Sequence, residues 1–523
     1  MNAQTKVLLS ECPVAFELEP TPAPNETLVR CDPASLASMA TYCVSRGAML
    51  ATATGLDLHP LGGAFAVEFV FSLPAFDEFV RVRADLGAAT TYPALTPAVP
   101  AAQWHERELK DLFGIDPVGH PDPRRLVLHE SFPHGYHPLR KNVDPVTRPA
   151  IDRRRFDHFE VHGEGVYEYP VGPIHAGIIE PGHFRFSNIG DLVLFLDARL
   201  FYTHRGIEKI VEGKTPEAAL FTVERTCGVC TVSHGVAFSS AVERAAGIRV
   251  PARAAWLRTL LLELERLYNH VGDVGNICAG AGLHAGVSRG AILKERLQRL
   301  NEALTGHRFL MGVVGIGGLR ADLDSAALLD LSRSLAGVAA DFTAYAEMLL
   351  GTDSLIHRLQ GPGHLGGDIV RALGGTGVTA RASGVASDWR IDHPHAAYGT
   401  LAPRRVVETS GDVFARTMVR IREAAESFRL VGAILDGLPG GPVRGEAGAP
   451  PPFASALGYA ESPRGSNVHW VMLDGDGRIY RTHIRSAAYA NWPLVARAVP
   501  GNVMPDFPLI NKSFELCYAC CDR

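Results

Sequence analysis

Apolar residues recur at helical spacing through much of the second half of the chain. Trp256, Leu257, Leu260, Leu261, Leu264 and Leu267 fall three or four positions apart, with Pro251 in a first-turn position, and the pattern runs to about Val274. Gln298 to Leu310, Ala326 to Leu350 and Arg404 to Leu435 repeat it. These stretches predict long helices that bury one face each, and so an apolar helical bundle as the core of the C-terminal part. Glycine-rich connections at 315–318, 361–367 and 374–377 separate the helices. None stands between a strand and a helix as a dinucleotide loop would, so they read as turns.

The N-terminal part follows another rhythm. Ala64-Phe-Ala-Val-Glu-Phe-Val-Phe-Ser-Leu alternates with aromatic and β-branched residues, as a strand does. The stretch from Pro33 to Val44 opens like a helix with Asp32 or Ser35 as cap, and a second helix is predicted over Gln103–Leu112. Residues 1 to about 30 are polar and proline-bearing and are expected to be poorly ordered at the start. A short apolar run, Leu192-Val-Leu-Phe-Leu, reads as a strand. Between the two rhythms the chain is rich in proline and charge, Asp144-Pro-Val-Thr-Arg-Pro-Ala-Ile-Asp-Arg-Arg-Arg, which reads as a linker. The expected class is α+β: a small α+β domain over 1–145, a linker over 146–165 and a mainly α-helical bundle domain over 166–523.

Composition narrows the function classes. A chain of 523 residues with 46% hydrophobic and 20% charged residues can bury more than one core. The formal net charge of −5 gives no reason to expect nucleic acid as a partner. No apolar run reaches the roughly 18 residues of a membrane span, and the N-terminus lacks a secretory signal. A protein serving a membrane would then do so from its side. The nine cysteines are few, odd in number and clustered, which favours reduced thiols or metal ligands over a disulfide framework.

Four of them form two Cys-x-x-Cys pairs at opposite ends of the C-terminal part. The first is Glu224-Arg-Thr-Cys227-Gly-Val-Cys230-Thr-Val-Ser-His234 and the second is Cys517-Tyr-Ala-Cys520-Cys-Asp-Arg523. Four thiols suit a soft, four-coordinate metal, and by ligand type alone a structural zinc is a valid reading. A zinc ribbon, however, closes within a few tens of residues, whereas this site would tie the start of a long domain to its far end.

The first pair resembles the N-terminal metal motif of the nickel–iron hydrogenase large subunit, Arg-x-Cys-Gly-x-Cys-x-x-x-His, and the second resembles its C-terminal partner in membrane-bound, complex-I-related hydrogenases. Gly172-Pro-Ile-His175 with Glu180-Pro-Gly-His, Tyr202-Thr-His-Arg-Gly-Ile-Glu208, Glu263-Leu-Glu-Arg-Leu-Tyr-Asn-His270-Val-Gly-Asp273, Gly411-Asp-Val-Phe-Ala-Arg416 and Glu461-Ser-Pro-Arg464-Gly agree in the same order. The passage from Glu106 through Gly114 and Gly119 to Leu126 resembles the signature of the 30-kDa subunit of respiratory complex I, a docking module with no chemistry of its own. Together the chain looks like the fused large subunit of formate-hydrogenlyase-type hydrogenases, with the fold of the complex I 49-kDa subunit in its larger part.

What this resemblance implies is a nickel–iron centre whose iron carries cyanide and carbon monoxide. Cys227 and Cys517 would be terminal nickel ligands, and Cys230 and Cys520 would bridge the two metals. In the heterolysis of dihydrogen a terminal thiolate takes the proton first and Glu180 carries it onward. The neighbours Ile178, Ile179 and Pro181 suit an apolar setting that raises a carboxyl pKa. Arg464 matches the arginine over the metals, a donor to cyanide, and His234 would hydrogen-bond a bridging thiolate. His270 and Asp273 are expected to belong to an ion-pair network, and Cys278 and the N-terminal cysteines to be buried hydrophobes. The implied partners are an iron–sulfur small subunit, a further ferredoxin-like iron–sulfur subunit and integral membrane subunits, on the cytoplasmic side of the inner membrane.

Departures keep two other readings open: a quinone-reducing complex I subunit, and an inactive or sensory hydrogenase relative. Glu515-Leu516 stands where the family pattern has Asp-Pro before the third cysteine, Cys521 directly follows the fourth, and Pro394-His395 replaces Pro-Tyr. Relatives are often made with a C-terminal extension that is cut away after the residue matching Arg523. The sequence ends there, as expected of a processed form or of one made without an extension.

Overall fold

The computed structural model describes residues 2–523 apart from 88, 153, 176–178, 447 and 449. Its N-terminal part is organised around strand Phe65–Leu73. The strand's composition predicts one buried face, yet all nine residues are buried. Both faces are covered because the five-stranded sheet is a middle layer. In spatial order its strands are Phe16–Glu19, Glu26–Cys31, Glu78–Gly87, Phe65–Leu73 and Met49–Asp57.

One face packs Val67, Phe69 and Phe71 with Met39 of helix Leu36–Ser45 and Leu109 and Phe113 of helix Gln103–Phe113. The other sets Ala66, Val70 and Phe79 against Leu457, Val468 and Trp470 of a second sheet near the C-terminus. Charge reinforces this second contact. Arg81, fully buried, donates to Glu68 at 2.7 Å, to Glu26 at 2.8 Å and to the Ser455 carbonyl at 3.0 Å, while the Trp470 indole donates to Glu68 at 2.8 Å. A buried guanidinium holds only with partners at this density.

Helix Gln103–Phe113 runs where the sequence places it and buries nine side chains, charged ones included, before ending at Gly114 in the left-handed conformation. Helix Leu36–Ser45 follows a short turn, Pro33–Ser35, capped by Asp32. The expectation of an unstructured start is corrected: helix Ala3–Ser10 is capped by Asn2 and is followed by strand Phe16–Glu19. From 144 to the strand Val166–Val171 the described residues form no helix or strand.

The C-terminal part is a bundle around helix Ala252–Gly280, which packs on helices His284–Thr305 and Val413–Gly437, with Ser325–Leu350 outside. Gly275 and Gly290 let the first two cross closely, since a Cβ on either would meet the other's backbone. Two helix boundaries differ from the pattern. The helix expected from Arg404 begins at Val413, because Gly411 is left-handed and Asp412 caps the backbone of Ala415. The one expected from Gln298 starts earlier, at His284, and stops at the left-handed Gly306.

The bundle is not all-helical. Strands Ser455–Ser462, Gly465–Leu473 and Ile479–Arg485 form a meander against helix Thr231–Ala246, and every residue of the central strand is buried. Without a wet face it carries no alternation to read. A third sheet, Val166–Val171, His183–Ile189 and Leu192–Arg199, lies beside the C-terminal segment. Among the described residues no helix is long and apolar enough to cross a membrane.

Candidate metal centre

The first cysteine pair sits on a loop between helices Pro216–Val223 and Thr231–Ala246, with Cys230 at the cap position of the second. The Thr231 hydroxyl donates to the Cys227 carbonyl at 2.9 Å, and the Val229 N–H points at Cys227 Sγ at 3.3 Å. One face of helix Ala252–Gly280 holds the loop from behind. Glu265 accepts from the backbone N–H groups of Val232 at 2.6 Å and Ser233 at 3.1 Å, and Asn269 donates to the Val229 carbonyl at 2.9 Å. Tyr268 adds a bond to the Gly228 carbonyl at 3.3 Å. The spacing 265, 268, 269 is the i, i+3, i+4 face of a helix. Burial pushes the Glu265 carboxyl up to about 7, against the pull of those N–H groups.

The second pair lies on the short helix Tyr518–Asp522, reached from helix Phe507–Phe514 through Glu515 in the left-handed conformation. Loop 201–205 receives it. Asp522 accepts from the backbone of Phe201 at 2.9 Å and of Thr203 at 3.0 Å, and His204 bonds the Asp522 carbonyl at 2.7 Å. Arg205 ties the two pairs together, donating to the Thr226 carbonyl at 2.7 Å and the Ala519 carbonyl at 2.9 Å. Each of those carbonyls immediately precedes a cysteine of the cluster.

The result is a thiol cluster. The Sγ atoms of Cys227, Cys230 and Cys520 lie within 4.8 Å of one another, all buried. Cys517 stands in thiol contact with Cys227, and that contact and burial push its pKa well up. The contact with Cys227 and burial do the same to Cys520. A bound soft cation would reverse this by favouring the thiolates. The donor set therefore fits a metal.

His234 is fully buried, with Nε2 at 3.2 Å from Cys520 Sγ and Nδ1 at 2.9 Å from His469. Burial drops its pKa to about 3, which keeps the ring neutral.

Arg464 lies near Cys517. Its guanidinium is locked to both oxygens of Asp273, one at 2.9 Å, while its Nε is buried with no partner. Burial opposes the charge, but Asp273 and Cys517 hold the guanidinium well above its ordinary range. Asp273 also accepts from Arg420 at 3.1 Å, and despite burial Arg464, His270 and Arg420 hold its carboxyl far below the usual range. The ion-pair network expected at His270 is present, with Glu423 at 2.9 Å and Arg381 beyond it. Sequence reasoning did not place Asp273 as the anchor of Arg464. Its signal was there, one helical turn from His270 on the same face.

Glu180 joins the C-terminal segment directly: Oε2 accepts from the Ala519 N–H at 2.8 Å. Gly182 lets this loop lie against the segment, since a Cβ there would collide with the Tyr518 ring. The apolar enclosure expected around Glu180 is not formed by Ile179, which is 50% exposed, and Ile178 lies outside the described residues. Ile174 is 91% exposed.

The departures also find places. Glu515 keeps a carboxylate before Cys517 and accepts from Asn276 at 2.5 Å; burial and Asp273 push its pKa up to about 7 against Arg464 and Arg420. Cys521 is buried but outside the cluster, and His395 accepts from the Glu461 N–H at 3.3 Å.

Family models match three stretches: the respiratory-chain NADH dehydrogenase 30 Kd subunit over 29–149, nickel-dependent hydrogenase over 205–273, and the respiratory-chain NADH dehydrogenase 49 Kd subunit over 282–452 and 445–523. The chain is 38% identical to formate hydrogenlyase subunit 5 of Escherichia coli (strain K12) over 485 residues, 91% of this chain and 85% of that one. It is 38% identical to hydrogenase-4 component G of the same organism over 475 residues, 90% and 83%. A chain of the membrane-bound sulfane sulfur reductase, an archaeal respiratory membrane complex, superposes with a TM-score of 0.65 at 27% identity, covering 69% of this chain and 99% of that one.

Proposed function

The chain belongs to the family of large subunits of complex-I-related, membrane-bound nickel–iron hydrogenases, and from that premise we propose how its residues divide the work. It is the catalytic subunit of a membrane-associated hydrogenase that interconverts 2H⁺ + 2e⁻ and H₂. Cys227, Cys230, Cys517 and Cys520 would hold a nickel–iron centre, which would supply the redox site for that reaction, with cyanide and carbon monoxide on its iron as the family resemblance implies. The observation that carries this reading is the convergence of three buried thiols, Cys227, Cys230 and Cys520, with half-buried Cys517 beside Cys227 and a neutral histidine at 3.2 Å from Cys520. A quinone-type subunit needs no such cluster.

His234 donates from Nε2 to Cys520, which stabilises a thiolate without adding charge, and its tautomer is set by His469. Arg464, held by Asp273 and near enough to Cys517 to feel its charge, would donate to the centre from its unpaired Nε. The Cys517 thiolate takes a proton and Glu180, bonded to the adjacent segment, accepts it and passes it outward. Among the described residues no second group of three cysteines comes together. Electrons therefore leave through separate iron–sulfur subunits, and the whole docks on integral membrane subunits at the cytoplasmic face.

The test is metal analysis of the anaerobically purified complex together with infrared spectroscopy. Stoichiometric nickel and iron with cyanide and carbon monoxide bands are expected. Zinc alone, or no diatomic bands, overturns the reading.

A further inference from the structure

Two buried carboxylates from distant parts of the chain converge on one guanidinium at the end of the second cysteine segment. Arg523 Nη2 donates to Glu108 Oε2 at 2.7 Å, and Nη1 donates to Glu208 Oε1 at 3.1 Å and to the Ile484 carbonyl at 2.6 Å. Its guanidinium also lies over the Tyr489 ring, 4.8 Å from the centroid. Arg523, Glu108 and Glu208 are all buried. Glu208 follows the loop that grips Asp522. Glu108 comes from helix Gln103–Phe113, in the part of the chain that resembles a docking module.

Arg523 reaches both carboxylates, whereas Arg481 reaches Glu208. Carboxylate oxygens of Glu108 and Glu208 lie within 4.8 Å of each other and of a ring nitrogen of His483. Arg481, at 2.7 Å from Glu208, neutralises one of them. Withdrawal of Arg523 would leave buried Glu108 without a guanidinium, with only His483 Nδ1 at 3.7 Å to face it beside a second carboxylate, an unfavourable state. The same withdrawal would break the docking of residues 517–523, which carry two of the four thiols.

We propose that Glu108 is a positioning residue for the metal centre: the N-terminal module clamps the cysteine segment through Arg523, and so helps to hold Cys517 and Cys520 where a metal is bound. The module's docking and the segment's closure then stabilise each other, since a coupling between two sites is reciprocal. The proposal rests on the metal reading above for its second consequence, and on the geometry alone for its first.

The experiment is hydrogen exchange and nickel analysis of the purified complex with Glu108→Gln, Glu108→Asp and Arg523→Met. In Glu108→Gln, backbone exchange over residues 517–523 is expected to quicken at least about tenfold, as befits loss of one partner of a buried charge. Nickel per chain is expected to fall below half, while exchange over residues 65–73 stays as in the wild type. Glu108→Asp should fall between wild type and Glu108→Gln. Arg523→Met should loosen 517–523 and, by the same reciprocity, quicken exchange in helix Gln103–Phe113, which carries Glu108, while residues 65–73 stay as in the wild type. Wild-type exchange and nickel in Glu108→Gln would overturn the clamp. If residues 65–73 also exchange faster in that variant, Arg523→Met decides: a segment as slow as wild type overturns the clamp, a loosened one supports it. Absence of nickel from the wild type would sink the hydrogenase reading, and the exchange arm would still judge the clamp.

Discussion

The thiol cluster has two flanks built of opposite materials. On one side Arg464 is fixed by Asp273, which is fixed in turn by Arg420, with none of the three more than 4% exposed. On the other side Glu180 stands on a loop whose residues Ile174 and Ile179 are exposed in the isolated chain, and it accepts from the Ala519 N–H of the cysteine segment. A fixed charge works best where nothing moves, because its field is set before the reaction begins. A proton carrier must exchange with the outside, so it needs an open side. On the proposed function, the asymmetry assigns electrostatics to the locked flank and proton traffic to the flank that is open in the isolated chain.

The largest effect should come from breaking the locked flank. Asp273→Ala leaves Arg464 and Arg420 buried without their carboxylate and is expected to cost about 3–5 kcal/mol in denaturant unfolding. A loss under about 1 kcal/mol would mean that the flank is not locked by charge. Glu180→Gln probes the open flank, since its amide oxygen can still accept from Ala519. Unfolding should shift by less than about 0.5 kcal/mol, whereas hydrogen–deuterium exchange activity should fall about 100-fold with the infrared bands retained. Retained activity would remove Glu180 from the proton path.

A smaller effect concerns pH. The folded Glu265 carboxyl titrates near 7, above its unfolded value. Its contribution to stability is complete below the unfolded value and is lost as pH rises through the folded one. Wild type should therefore lose stability relative to Glu265→Gln between about pH 4.5 and 7, by up to about 1.4 kcal/mol per pH unit. Parallel stability curves would count against it. The smallest effect is Ile179→Ser, expected to change unfolding by no more than about 0.5 kcal/mol in the isolated chain.

The chemistry was more legible than its supports. Cysteines announce a metal site because their spacing is local, and Asp32 or the Gln103 helix could be read from neighbours alone. The contacts that aim the site run across the chain: Glu180 to Ala519 spans 339 positions and Arg464 to Asp273 spans 191. Periodicity carries no trace of such pairs. Strand Gly465–Leu473 escaped for a different reason, since burial on both faces erases the alternation by which a strand is recognised. Of the apolar neighbours expected around Glu180, Ile179 is 50% exposed, because a neighbour's apolar character does not say whether anything covers it.

The contact between Glu68 and the Trp470 indole joins residues 402 positions apart. During synthesis at about 5–20 residues per second, the N-terminal sheet would wait on the order of 20–80 s for the sheet that covers its second face. Through that interval Ala66, Val70 and Phe79 would face water and Arg81 would lack its bonds to Ser455. The exposed face of the nascent chain is then a hazard for aggregation, and slowing translation downstream of residue 87 is expected to prolong it, which a comparison of soluble yield at two translation rates would check.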